Sequence, residues 1–186
     1  ELARVPVYQL IANNSDVEKS QWNGGYKEQY FEGTLVYDGK VYDHITFRTI
    51  RSASTYVMGH NKWKLNFNRG HRFQARDFYG NKFDTEWDKF SIQTGESPWW
   101  RNNNPMSGML LQESLMAKLS NLSGTHTPEM LHFHFRVIDG ANESNGADQF
   151  DGDFWGIYTA QQHPDESFFE ENNLPNSNLY KLNGSN

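Results

Sequence analysis

Residues 131–138, Leu-His-Phe-His-Phe-Arg-Val-Ile, alternate apolar and polar side chains as far as Val137. A β-strand turns successive side chains to opposite faces. The period of two therefore puts Leu131, Phe133, Phe135 and Val137 on one side and His132, His134 and Arg136 on the other. Such a segment buries its apolar face only as part of a sheet packed on a core. Residues 62–67 repeat the pattern, with Lys62, Lys64 and Asn66 on the polar face and Trp63, Leu65 and Phe67 on the apolar one.

Further strands follow from the same period. Residues 5–11 read as a strand, followed by a polar stretch over 13–23 and the turn signal Asn23-Gly24-Gly25. Residues 26–37 lead to Asp38-Gly39, a dipeptide that tolerates positive φ at both positions, and residues 40–50 return as the second arm of a hairpin. Residues 154–160 resume after a Gly-, Asn- and Asp-rich loop as the partner of 131–138. One long stretch, residues 106–119, has helical spacing. There Met109, Leu110, Leu115, Met116 and Leu119 share an apolar face, while Gln112, Glu113 and Lys118 face water. The expected fold class is α+β, a twisted antiparallel sheet with one principal helix. With no repeats and no linkers, residues 1–186 are expected to form a single domain.

Composition bounds the function. Hydrophobic residues make up only 36% of the chain, but 13 Phe, 9 Tyr and 6 Trp supply large buried areas, which excludes global disorder. The 17 basic and 23 acidic residues are interspersed and leave a net charge of −6. No basic stripe suited to a phosphate backbone results, so no nucleic-acid partner is expected. No run reaches the roughly 18 apolar residues of a membrane span. The absence of cysteine removes disulfides, thiolate metal sites and cysteine nucleophiles. The sequence begins at Glu1 without a signal-peptide pattern, as expected of a processed mature chain or a piece of a longer one. Serine-hydrolase elbows, His-Glu-x-x-His helices and phosphate-cradling P-loops are all missing from the sequence.

Residues 152–181 join Gly156-Ile157-Tyr158, Asp165-x-x-Phe168 and Asn178-Leu179-Tyr180-Lys181 in order. Upstream stand the hairpin ending in Ile45-Thr-Phe-Arg-Thr-Ile-Arg-Ser, the strand Lys62-Trp-Lys-Leu-Asn-Phe, and a helix followed by Asn121-Leu-Ser-Gly and Pro128. In this order the segments resemble the CotH (spore-coat protein H-like) kinase family over about residues 33–182, corresponding to the early part of its domain. The resemblance implies a sheet like the N-terminal lobe of an atypical protein kinase. It also implies ATP with Mg or Mn as cofactor, a protein substrate or surface-assembly partner, and a secreted or cell-surface location. The family generally has Glu four residues after the tyrosine of Gly-hydrophobic-Tyr, where this chain has Gln162. A neutral amide cannot orient a phosphate-binding lysine as a carboxylate does. The resemblance assigns the acidic catalytic and metal-binding residues to a later part of the domain, so no catalytic residue is expected within this chain.

The nucleotide-facing candidates are Lys62, Lys64, Gln162 and Lys181. Both strand lysines could set a point charge against phosphate, and both equally suit a solvated strand face. Arg48 and Arg51 could clamp phosphate or pair with surface carboxylates. In the 139–153 loop, Asp148, Asp151 and Asp153 offer hard oxygen ligands of the kind calcium takes, although the spacing does not follow an EF-hand. His132 and His134 share a strand face and could hold zinc if His126 or Asp153 approached as a third ligand. Trp87, Trp99, Trp100 and Trp155 suit either sugar stacking or the core. The alternative to a kinase is a non-catalytic extracellular module that binds a protein partner, a polysaccharide or calcium.

Overall fold

Asp38 (φ 52°) and Gly39 (φ 71°) both adopt the left-handed region, the geometry of a two-residue hairpin turn whose twist matches the strands it joins. This turn links β2 (Phe31–Tyr37) to β3 (Lys40–Ile50). A computed structural model describes residues 5–22, 29–50, 61–94, 111–144, 152–175, 178 and 180. Around the hairpin it places β1 (Val7–Ala12), α1 (Asn14–Trp22), β4 (Lys62–Asn66), β5 (Lys89–Gln93), α2 (Leu111–Leu122), β6 (Met130–Ile138), β7 (Phe154–Gln162) and α3 (Glu166–Glu171).

The strands close into a barrel in the order β1-β2-β3-β4-β5-β7-β6. This overturns the expected α+β fold, a twisted antiparallel sheet with one principal helix like the N-terminal lobe of an atypical protein kinase: the described chain is mostly sheet closed into a barrel, with three short helices of 9, 12 and 6 residues. Geometry accounts for the closure. An alternating antiparallel order cannot return to its start around a ring of seven, so one neighbouring pair must be parallel. That pair is β1 and β6, with Leu10 opposite Val137. Local periodicity identifies both strands but does not say that they meet.

A seven-stranded barrel is narrow enough for side chains to fill it. Tyr8, Tyr42, Phe47, Trp63, Phe90, Phe133 and Phe135 all point inward and are almost completely buried. Both ends are stoppered. At one, Phe73 enters from the 67–87 connection and meets Tyr8, Tyr37, Tyr42, Phe67, Trp87 and Phe90 at ring-centroid distances of 4.9 to 6.2 Å. Backbone bonds between Phe73 and Trp87, 2.9 and 2.8 Å, fix that insertion. At the other end lies α1, which the polar 13–23 pattern did not reveal. Asn13 starts it by accepting the Ser15 N–H at 3.1 Å, and Thr49 Oγ1 donates to the Ser20 carbonyl at 2.7 Å.

A further difference from expectation has a physical cause. Leu115, Met116 and Leu119, expected to face the core, are 58%, 60% and 49% exposed, and α2 buries Ser114 and Ala117 instead. Small side chains let this helix approach β6 closely. Residues 106–110, with Met109 and Leu110, lie outside the described residues. In β7 the signature glycine, Gly156, has φ 117°, a conformation rarely open to L side chains, beside the register shift at Phe135/Arg136. No helix among the described residues is long and apolar enough to cross a membrane.

If Phe73 is the stopper that completes the core, Phe73→Ala lowers stability by about 3–5 kcal/mol. Tyr79→Ala, at a side chain 82% exposed, changes it by no more than about 0.5 kcal/mol. Urea denaturation followed by tryptophan fluorescence checks both.

Candidate anion-binding face

Strand alternation decides which candidates meet. Trp63 and Leu65 fill the barrel, so Lys62 and Lys64 stand on its outer wall, half-buried. The ladder sets Arg48 of β3 directly opposite Lys64, and Ile50 opposite Lys62. Across the other edge of β4, Lys64 faces Ser91 of β5, which in turn faces Gln161 of β7. Gln93 donates to Gln161 Oε1 at 3.1 Å. The wall is thus cationic over β3 and β4 and neutral but hydrogen-bonding over β5 and β7. Among the described residues neither Lys62 nor Lys64 has an ion-pair partner. Arg48 lies over the Tyr30 ring, 5.0 Å from its centroid.

Gln162 faces the other way. It is 1% exposed at the Phe73 end of the barrel, with its Oε1 accepting from the Glu129 N–H at 3.4 Å and its Nε2 without a hydrogen-bond partner. The structure therefore does not bring Gln162 to Lys62 or Lys64. Lys181 lies outside the described residues, as do Arg51, Trp99 and Trp100. Trp87 is fully buried and Trp155 packs on the core at partial burial.

The calcium candidates divide similarly. Asp148 and Asp151 lie outside the described residues. Asp153 is buried and accepts from the Ser144 N–H and from Ser144 Oγ, so it closes its own loop. His126 bonds Asn172 at 2.8 Å, while His132 and His134 pack against Phe78 and Phe154. Among the described residues no group of three or more His, Asp or Glu side chains is placed to hold a metal ion.

Below the cationic wall is a charge cluster that sequence reasoning missed. Lys89 Nζ lies 3.2 Å from Asp165 and 3.4 Å from Asp88, and His163 Nδ1 is 3.5 Å from Asp165. Asp165 caps α3, accepting from the Ser167 N–H at 3.2 Å and from Ser167 Oγ at 2.8 Å. Burial pushes the Asp165 carboxyl upward, but its interactions with His163, Asp88, Ser167 and Lys89 outweigh it and hold it well below the usual range. Burial, and then its bond to and repulsion from Asp165, raise Asp88. The two carboxyls titrate as one pair. Lys89 loses charge preference to burial but gains more from both aspartates, so its pKa rises. The signal for β5 was present in the alternation Lys89-Phe90-Ser91-Ile92-Gln93, whose Phe90 and Ile92 point inward.

No protein-family model matches the chain, and none of the curated proteins matches it.

The opposite pKa directions fix the pH dependence. Asp165, depressed, adds stability above the ordinary aspartate value of about 3.9, which is lost as pH falls through its folded value. Asp88, raised, subtracts stability as it ionises. Lys89→Met leaves the two carboxylates facing each other at pH 7 and costs about 1–3 kcal/mol. The loss is smaller at a pH low enough for the raised Asp88 carboxyl to take up a proton. Urea midpoints at both pH values report the difference.

Proposed function

We propose that this chain forms the phosphate-facing part of a CotH-like atypical protein kinase, with the outer wall of β3 and β4 as its nucleotide contact. The observation that carries the reading is the direct opposition of Arg48 and Lys64, with Lys62 two residues away on the same face. Three cations gathered on one wall, with no carboxylate of the described residues within ion-pair distance of either lysine, favour an anion bearing several oxygens. In this reading Lys62 and Lys64 neutralise phosphate charge, while Ser91 and Gln161 offer hydrogen bonds beside them. A divalent ion bound with the nucleotide would supply positive charge to the phosphates, beside that of Lys62 and Lys64. Its ligands belong to the acidic part that the family resemblance assigns later in the domain. A secreted or cell-surface location and a protein acceptor belong to the same proposal.

A second reading is a non-catalytic extracellular module that uses the same wall for an anionic partner or polysaccharide. Gln162 favours it. The position that the resemblance pairs with a phosphate-binding lysine holds a neutral amide turned into the barrel, so it supplies no carboxylate to orient Lys62 or Lys64.

ATP binding in the presence of Mg²⁺ or Mn²⁺, measured calorimetrically, separates these readings. The kinase reading expects Lys64→Ala to weaken ATP binding by about tenfold, with Lys62→Ala acting in the same direction. Retained binding of a sulfated polysaccharide, lost in the same two variants and unaccompanied by ATP binding, supports the module instead. Unchanged binding of every anion in both variants removes the wall from either function.

A further inference from the structure

A second constellation lies at the Phe73 end of the barrel, on the hairpin side. A cavity of about 300 Å³ opens there, with Lys40, Val41 and Tyr42 of β3 on one wall and His71, Arg72 and Glu86 on the other. This is the lower end of the usual size for ligand sites.

The cavity exists because β3 is paired along only part of one edge. β4 joins it from Thr46 to Ile50, leaving residues 40–44 without a strand of the described residues on that side. The break coincides with a bulge: Asp43 and His44 together oppose the single residue Thr34, and His44 takes φ 49°. Asn68 Nδ2 holds the His44 carbonyl at 2.9 Å, which fixes the departing chain away from the strand.

The hairpin register then determines what the open edge offers. Tyr37 and Lys40 flank the two-residue turn and exchange hydrogen bonds with each other. In an antiparallel ladder the next residue points its N–H and C=O the opposite way. Val41, 56% exposed, thus turns one donor and one acceptor toward the cavity, and among the described residues no other backbone group bonds to them from that side. Around this pair stand Lys40 and Arg72, neither of which has an ion-pair partner among the described residues. His71 is oriented by Asp43, Nδ1 to Oδ1 3.2 Å.

We propose that this cavity binds the carboxyl-terminal residue of a peptide, an N-acyl amino acid unit, as a one-residue extension of the sheet at the open edge of β3. Its carboxylate accepts from the Val41 N–H and takes the charge of Arg72 and Lys40. Its amide N–H donates to the Val41 carbonyl. A simple oxyanion would use the donors and leave that carbonyl unanswered, whereas an acylated amino acid satisfies both. Glu86 on the same wall disfavours an acidic terminal side chain.

The test is a ¹⁵N NMR titration of the full chain with acetyl-trialanine as the free acid, with its carboxyl-terminal amide, and with acetate and inorganic phosphate. The free acid is expected to shift the Val41 amide and the Arg72 Nε–H saturably at millimolar concentration, with the amide form weaker by about tenfold or more. Arg72→Ala is expected to weaken the free acid similarly. Val41→Pro removes the edge N–H without touching the β2 ladder and is expected to do the same. Lys64→Ala leaves this binding unchanged, so the outcome is independent of the nucleotide reading. Equal binding of the acid and its amide, equal binding of acetate or phosphate, or no shift with any ligand overturns the proposal.

Discussion

Filling a seven-stranded barrel with aromatic rings is the constraint on which the rest of this structure depends. A ring of strands that small has no room for water or for a loosely packed interior, and it holds its shape only when its lumen is occupied. Phe73 completes that packing from outside the strand set. It is completely buried and touches rings from the first, second, third and fifth strands as well as Phe67 and Trp87. The 67–87 connection is therefore part of the core, and its course past β3 shapes the cavity beside Val41.

The barrel separates chemistry by parity. Odd-numbered residues of β4 belong to the interior, and even-numbered ones carry the charge. In β7, Tyr158, Ala160 and Gln162 point inward while Gln161 joins the outer wall. A charged group at position 162 would have to lose its hydration among rings, so the amide there suits its surroundings better than a carboxylate would. The cations at positions 48, 62 and 64 need no such compromise, because each keeps a route to solvent.

Much of this was legible in the sequence. The strands containing Lys64 and His134, the Asp38-Gly39 hairpin and the partner strand at Tyr158 follow from period two and turn chemistry. The closure was not. It depends on the parallel pairing of residues such as Leu10 and Val137, and no local pattern encodes a neighbour so distant in sequence. Helix α1 was hidden because among its described side chains only Val17 and Ser20 are buried, too few to make an apolar period. The orientation of α2 was misread because a helix may be seated by its small residues, Ser114 and Ala117, and hydrophobicity alone gives those no weight. On the site, the outward direction of Lys62 and Lys64 was readable from alternation. The Asp88–Lys89–Asp165 cluster was not, since it assembles from two segments that meet only after β5 and β7 pair.

The parallel seam between β1 and β6 also sets an order of events during synthesis. β1 can pair with β2 soon after both emerge, but its other edge must wait for residues 130–138. At ordinary elongation rates that delay is roughly ten seconds. Through it the nascent chain carries an open strand edge flanked by Val7 and Ile11, a template for pairing with neighbouring chains on the same message. Yield of this protein is thus tied to the speed and crowding of translation as well as to the stability of the finished barrel.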